Sequence, residues 1–207
     1  MTNPAILPHD PFNLIVAGVG GQGTVTASRL IGEMLSARGI RVTIGETFGA
    51  SQRGGSVTSH LRLSARTGWS PQIPRGQAHL VVAFEPSEGL RVLGTHGNPQ
   101  VVVVANTRPI HPESVMGGEA RYPEREELGR WMGELASRAV FVEATDEALR
   151  MGSPILANTI MVGAVSGLGL LPLGRDDFER LIAARMGPDR VPANLTAFDW
   201  GVAAVAG

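Results

Sequence analysis

Two segments of this chain carry residue types that can hold an anionic ligand. The first is a glycine cluster with Gly-x-Gly-x-x-Gly spacing, and its members are Gly18, Gly20, Gly21, Gln22 and Gly23. It joins an apolar run to a helical pattern, and glycines at such a turn let an anion approach the amino terminus of the helix. Glu46 closes the next predicted strand, where dinucleotide folds place an acidic residue on a ribose. Alternatively, the glycines only permit close packing, and Glu46 is a structural cap or ion-pair partner.

The second segment, residues 46–62, puts charge, amide groups and two adjacent glycines between strand-like runs. Its candidate contact residues are Ser51, Gln52, Arg53, Gly54, Gly55, His60 and Arg62. Arg53 has the planar guanidinium that holds a carboxylate or phosphate through two parallel hydrogen bonds, and His60 and Arg62 would extend that surface. Alternatively, the glycines only form a bend, and Arg53 contacts a neighbouring subunit.

No complete catalytic set accompanies these residues. The chain has no Gly-x-Ser-x-Gly sequence, which argues against a serine hydrolase of that type. Its five histidines are scattered and lack the i, i+4 or clustered spacing of metal ligands. We therefore predict no catalytic residue and no metal site on this chain.

Cysteine and lysine are both absent from the 207 residues, so all 18 basic residues are arginine. Without cysteine the chain cannot ligate an all-cysteine iron–sulfur cluster or use a thiol nucleophile. Without lysine it cannot form a pyridoxal Schiff base or supply the lysine of a phosphate-binding loop. The net charge of -1 offers no basic face for nucleic acid. No apolar run approaches the ~20 residues of a membrane helix, so we expect a cytoplasmic protein that binds neither nucleic acid nor membrane.

Strand and helix patterns alternate along the chain and predict the α/β class. We expect three α/β/α layers around a mostly parallel, Rossmann-like sheet, with an antiparallel insertion near residues 56–63. Residues 1–12 are predicted to be a flexible lead-in, and residues 13–207 a single domain. The predicted strands are residues 14–17, 41–45, 56–63, 79–84, 100–105 and 139–143. The predicted helices are residues 24–37, 86–93, 125–137, 154–168, 176–186 and 194–205.

Two of these elements have distinctive patterns. Residues 56–63 alternate, with His60 and Arg62 on the polar side, which predicts a strand that is antiparallel or lies at an edge. The helix of residues 154–168 is apolar nearly all round, as expected of a helix buried on every side. Either the domain core surrounds it or a partner covers one flank, and we favour the core. Asn158 and Thr159 then need hydrogen-bond partners inside.

Seven stretches, taken together, carry a family resemblance over nearly the whole chain. They are residues 18–23, 46–62, 70–74, 83–86, 106–109, 158–161 and 194–198. In them the chain resembles the gamma subunits and gamma domains of the 2-oxoacid (pyruvate/ketoisovalerate):ferredoxin oxidoreductases. It is most similar to the beta subunits of the indolepyruvate ferredoxin oxidoreductases. The long Ser-Gln-Arg-Gly-Gly segment is the most specific part of the resemblance. The glycine turn alone would be weak evidence for the family.

The resemblance implies a subunit without a catalytic centre of its own. Enzymes of this family oxidise a 2-oxoacid with thiamine diphosphate and coenzyme A, releasing an acyl-CoA, carbon dioxide and electrons that pass through iron–sulfur clusters to ferredoxin. This chain lacks the Gly-Asp-Gly motif through which related proteins hold thiamine diphosphate and Mg, and it lacks every cluster cysteine. We expect a large thiamine- and iron–sulfur-bearing partner, and contact with ferredoxin only through the complex.

The resemblance also implies where that contact lies. Residues 51–55 and Arg62 are expected at the subunit contact or near the path of coenzyme A. The isolated chain is expected to be capable of self-association. Many relatives of the indolepyruvate type carry His where this chain has Phe48, so the resemblance favours an aryl-pyruvate such as indolepyruvate but leaves the 2-oxoacid side chain open.

The alternative function is a stand-alone, Rossmann-like nucleotide-binding module. In that hypothesis the glycine turn holds a diphosphate and Glu46 holds a ribose. The breadth of the resemblance favours the subunit. Failure of the isolated chain to bind NAD, FAD and coenzyme A would count against the module.

Overall fold

The computed structural model describes residues 7–49 and 55–206, in which six strands form one mixed sheet. The strands are β1 (Phe12–Val19), β2 (Arg41–Phe48), β3 (Ser56–Ser64), β4 (Leu80–Ala83), β5 (Val102–Asn106) and β6 (Arg138–Val142). Their order across the sheet is β2-β3-β1-β4-β5-β6. β3 is antiparallel to both of its neighbours, and the other pairs are parallel. The predicted antiparallel insertion in a mostly parallel sheet is therefore confirmed.

Helices cover both faces of this sheet. They are α1 (Thr24–Ala37), α2 (Pro86–His96), α3 (Glu113–Met116), α4 (Arg125–Leu135), α5 (Ala144–Arg150), α6 (Leu156–Gly167), α7 (Arg175–Ala183) and α8 (Val191–Ala203), with a short 3-10 turn at Pro188–Arg190. The sequence pattern predicted α1, α2, α4, α6, α7 and α8. It missed α3 and α5, which are too short to show a helical period of apolar residues.

Alternate residues of the central strand β1 face two separate cores. Leu14 and Val16 belong to a larger apolar cluster with residues of α1, α6, α7 and α8. Ile15 and Ala17 belong to a smaller cluster with residues of α2 and α4. Because a strand points successive side chains to opposite faces, this division places helices on both sides of the sheet. The predicted three-layer α/β/α architecture is confirmed.

Part of the predicted lead-in packs against the domain. Leu7 contacts the larger core, the ring of His9 stacks on His79 with centroids 4.2 Å apart, and Phe12 is 2% exposed at the start of β1. Residues 7–12 are therefore held by contacts, and the first strand begins one residue earlier than the predicted domain boundary. Residues 1–6 lie outside the described ranges.

β3 differs from its prediction in one respect. The strand is antiparallel, as the alternation suggested, but β2 forms the edge of the sheet and β3 lies between β2 and β1. Its polar side is also buried, with His60 5% and Arg62 9% exposed. The reason is that the crossing between β3 and β4 covers this side: the backbone N–H of Ile73 donates to Nδ1 of His60, at 3.2 Å.

α6 is enclosed by its own domain, as predicted, because α8 crosses it at backbone contact. A Cβ built on Gly163 of α6 would lie 2.1 Å from the carbonyl oxygen of Phe198. One built on Gly201 of α8 would lie 2.0 Å from that of Ile160. The hydroxyl of Thr159 donates to Asn194 Oδ1 at 2.8 Å, as its burial requires. The same expectation fails for Asn158, whose buried Oδ1 has no hydrogen-bond partner among the described residues.

Candidate functional site

The carboxyl ends of β1 and β4 surround the candidate site. From β1 the chain continues toward β2 on one side, and from β4 it continues toward β5 on the other. In open α/β sheets, ligands bind outside the carboxyl ends of the strands at such a divergence. A cavity of about 280 Å³ lies there. Its lining comprises Gly21, Gln22, Phe84, Arg108, Pro109, Ile110, Thr145, Pro154, Ile155, Ala157 and Asn158.

The glycines of the turn after β1 differ in the space around them, so glycine is required at each position for a different reason. A Cβ on Gly18 would lie 2.9 Å from Cβ of Phe84. One on Gly23, whose φ is +81°, would lie 2.2 Å from Nδ2 of Asn158. Gly21 has φ +93° with nothing within 4 Å of its Cβ position, beside the cavity. Packing therefore accounts for Gly18 and Gly23, while anion binding by the turn stays a prediction.

Gln22 points inward and holds the turn. Its Oε1 accepts a hydrogen bond from Val19 N at 2.8 Å, and its Nε2 donates to the carbonyl of Phe84 at 2.9 Å. The backbone N–H of Gly20 donates to the carbonyl of Gly55 at 2.9 Å. One N–H of the turn is thus directed at the end of the second candidate segment, which brings the two predicted segments together.

Asn106, to which the sequence argument gave no individual role, fixes the ends of three elements. It is 2% exposed at the end of β5. Its Nδ2 donates to the carbonyl of Phe84 at 3.1 Å and to Oγ1 of Thr145 at 3.0 Å, and its Oδ1 accepts from Thr145 N at 3.1 Å. The signal that could have found it is a polar amide closing an otherwise apolar strand.

Glu85 was likewise missed and is the fully buried acid of this edge, with 0% exposure. One oxygen accepts from Ser87 Oγ at 2.6 Å and from Glu88 N at 2.9 Å, which caps the start of α2. The other accepts a short hydrogen bond from the hydroxyl of Tyr122 and one of 3.4 Å from Ile110 N. Burial, followed by the bond to this carboxylate, raises the pKa of Tyr122 well above its usual range. Glu85 therefore ties the cavity wall at Ile110 to α2.

The cavity has few polar groups free to meet a ligand. Oδ1 of Asn158 is buried and has no hydrogen-bond partner within residues 7–49 and 55–206. The guanidinium of Arg108 pairs with Asp146 at 2.7 Å and is about half exposed. Thr145, also in the lining, already bonds to Asn106. The cavity thus offers a ligand a hydrogen-bond acceptor at Asn158, a cation at Arg108 and an apolar wall at Ile155, which suits binding. The lining residues do not form a pair of nucleophile and general base.

Glu46 lies farther from the glycine turn than a simple dinucleotide fold requires. Across the sheet it aligns with Ser59 of β3, which aligns with Val16 of β1. The inserted strand therefore puts it two strand spacings, roughly 10 Å, from β1. Its carboxylate is 3.5 Å from the guanidinium of Arg29 on α1. This contact agrees with the ion-pair alternative, and ribose binding stays a prediction.

The structure divides the second candidate segment. Ser51, Gln52, Arg53 and Gly54 lie outside the described ranges, and Gly55 contacts the glycine turn. His60 and Arg62 are buried on the other side of the sheet from α1, covered by the crossing of residues 70–77. Within the chain itself their contacts hold this crossing, and their predicted role toward a partner is untested.

The burial of His60 makes the fold sensitive to acid. Burial first, and the neighbouring His96 second, lower its pKa from 6.5 to about 4. The folded state therefore binds its proton more weakly than the unfolded state does. The resulting stability is complete above pH 6.5 and is lost as the pH falls from 6.5 toward 4.

We expect the free energy of unfolding to fall by about 1–2 kcal/mol between pH 7 and pH 5 on account of His60. Urea unfolding at the two pH values measures this change. In His60→Asn, the amide oxygen replaces Nδ1 as the acceptor for Ile73 N, and this part of the pH dependence should disappear. An unchanged slope in His60→Asn would show that His60 carries no such linkage.

Comparison with known proteins identifies the family to which this arrangement belongs. Residues 13–204 match the model of the family described as pyruvate ferredoxin/flavodoxin oxidoreductase. This chain belongs to that family. The predicted resemblance is thereby confirmed.

Curated relatives match over nearly the full chain. Indolepyruvate oxidoreductase subunit IorB of Archaeoglobus fulgidus is 37% identical over 92% of this chain and 93% of its own length. The protein of the same name from Pyrococcus horikoshii is 34% identical over 93% of this chain and 95% of its own length. These names favour the subunit over the stand-alone nucleotide-binding module.

Solved structures share the fold. Pyruvate oxidoreductase subunit PORC of Thermotoga maritima aligns with a TM-score of 0.70 at 20% identity, over 94% of this chain and 97% of its own. The 2-oxoglutarate:ferredoxin oxidoreductase of Magnetococcus marinus aligns with a TM-score of 0.73 at 20% identity, over 95% of this chain. This chain spans 31% of that larger one, so the same fold occurs both as a separate chain and as part of a longer one.

The described residues were also expected to lack a metal site and a membrane span. In the described part of the chain, no three His, Cys, Asp or Glu side chains are arranged to hold a metal ion. None of the described helices combines the length and apolar character needed to cross a membrane.

Proposed function

We propose that this chain is the small, non-catalytic subunit of a 2-oxoacid:ferredoxin oxidoreductase that acts on indolepyruvate or another aryl-pyruvate. The observation that carries the proposal is the match to indolepyruvate oxidoreductase subunits at 32–37% identity over 92–94% of the chain. In the proposed complex, a 2-oxoacid anion and coenzyme A become an acyl-CoA, carbon dioxide and a proton, and two electrons pass to ferredoxin.

The chemistry of the chain supports a catalytic centre on a partner. It contains no cysteine to ligate an iron–sulfur cluster. It also lacks the Gly-Asp-Gly motif through which related proteins hold thiamine diphosphate and Mg. Thiamine diphosphate, Mg and the clusters are therefore assigned to a larger subunit, and this chain acts by binding and positioning.

The carboxyl edge of the sheet is the proposed contact with that partner. Phe48, at the end of β2, is 62% exposed, and Ile155, at the cavity, is 75% exposed. Large apolar side chains with that exposure gain free energy when a partner covers them. Coenzyme A, when bound, supplies the thiol that takes the acyl group, and we assign its path to this edge, beside Gly21.

Co-expression with a large thiamine- and iron–sulfur-bearing subunit from the same genome tests this function directly. Purification through a tag on this chain is expected to recover a thiamine- and iron–sulfur-bearing partner, with ferredoxin reduction fastest on indolepyruvate or phenylpyruvate rather than pyruvate. Recovery of a lone chain, with full 2-oxoacid oxidation by the partner without it, would contradict the proposal.

Within that complex, we expect Arg53→Ala to lower ferredoxin-linked activity by tenfold or more while barely changing the melting temperature of the free chain. The family resemblance predicts that Arg53 contacts coenzyme A or the partner, and such an arginine contributes to the assembled site rather than to folding of the free chain. Arg41→Ala, a substitution at the exposed opposite end of β2, is the matched control and should retain activity. Equal losses of stability and activity in Arg53→Ala would make Arg53 structural instead.

A further inference from the structure

We propose that this chain has a second ligand site, at the amino edge of the sheet, which binds a small molecule through an oxyanion: a carboxylate or a phosphate. A pocket of about 470 Å³ opens there, where β1 and β4 begin. The residues that carry the proposal are Asp10, Asn13, Arg62, Arg75, Gln77 and His79. β1 separates this pocket from the glycine turn by eight residues, roughly 23 Å.

Arg62 is a buried cation without a counter-charge. It is 9% exposed, and its guanidinium lies 4.8 Å from the ring centroid of Trp69. Nε donates to Asn13 Oδ1 at 3.2 Å, and Nη1 reaches the carbonyls of Ser70 and Gln72 only at 3.5 Å. Nη2 has no hydrogen bond to any residue in the described ranges. A guanidinium with so little exposure is poorly hydrated, so an anion that reaches its free Nη2 edge from the pocket would form charge-assisted hydrogen bonds.

The described side chains do not supply that anion. No carboxylate among them lies within ion-pair distance of Arg62. Residues 1–6, residues 50–54 and residue 207 contain no Asp or Glu side chain. The remaining acid, Glu113, belongs to α3, which follows β5 at the opposite, carboxyl edge of the sheet. An anion bound in the pocket can therefore supply the charge that Arg62 lacks.

The rest of the pocket adds positive charge. Arg75 is exposed and forms no ion pair with a described residue. The acidic residue of the lining, Asp10, has its carboxylate 3.7 Å from Arg66, which offsets its charge. Two guanidinium groups without an ion-pair partner among the described residues thus line one pocket, the buried Arg62 and the exposed Arg75. Guanidinium groups hold carboxylates and phosphates through paired hydrogen bonds.

Hydrogen bonds hold this surface in position before any ligand arrives. Asn13 accepts from Arg62 and donates through Nδ2 to the carbonyl of Gln77 at 2.8 Å. The backbone N–H of Asn13 donates to Nδ1 of His79 at 2.8 Å, so the neutral ring of His79 carries its proton on Nε2 and offers a donor. The stacked rings of His9 and His79 form a flat wall of the pocket. The volume suits a small organic anion, larger than a single oxyanion group.

Calorimetric titration of the full chain tests the site, with inorganic phosphate and malonate as probes and sodium chloride balancing ionic strength. We expect saturable binding of at least one probe. Preference for phosphate would support a phosphate ester, and preference for malonate a carboxylate. Arg75→Ala, at an exposed position, should weaken binding tenfold or more. Arg130→Ala, an exposed substitution on α4, should bind as the wild type does.

Arg62→Met provides a second, independent variant. Met keeps the length of the side chain and removes the guanidinium, so binding should be lost, and urea unfolding of the same variant shows whether the fold persists without the hydrogen bonds of Arg62 to Asn13 and to the crossing. If this variant unfolds, Arg75→Ala still decides the question. The proposal is overturned if neither probe binds saturably to the wild type at tens of millimolar, or if Arg75→Ala binds as tightly as Arg130→Ala. Neither result depends on the partner subunit, so the proposed function stands or falls separately.

Discussion

Alanine at Gly201 is expected to lower the free energy of unfolding by more than about 3 kcal/mol, or to prevent folding altogether. The added Cβ would lie 2.0 Å from the carbonyl oxygen of Ile160, and real Cβ contacts stay beyond 3.0 Å. Backbone cannot rotate away as a side chain can, so α6 and α8 must separate by about 1 Å along the crossing. Gly163→Ala, whose Cβ would lie 2.1 Å from the carbonyl oxygen of Phe198, should lower the free energy of unfolding by a similar amount.

The matched controls are alanine substitutions at Gly94 of α2 and Gly133 of α4. Both are helical glycines with nothing within 4 Å of the Cβ position. Each should stabilise the chain by up to about 1 kcal/mol, since alanine is the better helix former. Urea unfolding of the four variants measures the contrast. If Gly201→Ala unfolds at the same urea concentration as Gly133→Ala, then α6 and α8 do not meet at backbone contact.

This helix crossing illustrates what a sequence can and cannot predict. The apolar, small-residue pattern of α6 predicted burial on every side, and the favoured core interpretation is correct. The pattern did not identify α8 as the covering element, because Gly201 lies 38 positions after Gly163 and no local period links them. Strand order was beyond reach for the same reason, since pairing between distant segments is decided by tertiary contacts.

β3 shows a second kind of limit. Alternation predicted the strand correctly, because successive side chains alternate faces. A polar face does not reveal whether water or protein covers it. Here the irregular crossing of residues 70–77 lies over His60 and Arg62 and uses them as hydrogen-bond partners for its backbone. Loops of this kind carry no period, so their path cannot be read from the pattern.

The glycine turn lies at the carboxyl edge between β1 and β4, beside the cavity, and its role in binding stays a prediction. The residues that assemble this edge, Glu85, Asn106 and Tyr122, were not assigned roles, because each follows a different strand or loop and they meet only in the fold. The packing reasons for Gly18 and Gly23 were likewise invisible, since Phe84 and Asn158 are distant in sequence.

Gly23→Ala is expected to destabilise the chain by about 2–4 kcal/mol, which lowers the melting temperature of a protein of this size by roughly 4–16 °C. Two costs add. At φ +81° an L side chain is in the left-handed region, at about 1–2 kcal/mol. The new Cβ would also lie 2.2 Å from Nδ2 and 2.6 Å from Cγ of Asn158, so the amide must leave its position against the turn.

Gly21→Ala separates these costs, because Gly21 has φ +93° in the same turn and nothing within 4 Å. It should show the backbone cost alone. Adding Asn158→Ala should rescue part of the loss in Gly23→Ala and none of that in Gly21→Ala, since only the former collides with the amide. Thermal unfolding of this double-mutant cycle shows whether Gly23 is required for packing against Asn158 or only for its positive φ. Equal losses at Gly21 and Gly23, without rescue, would mean that Asn158 does not pack against Gly23 and that the glycines serve the backbone conformation alone.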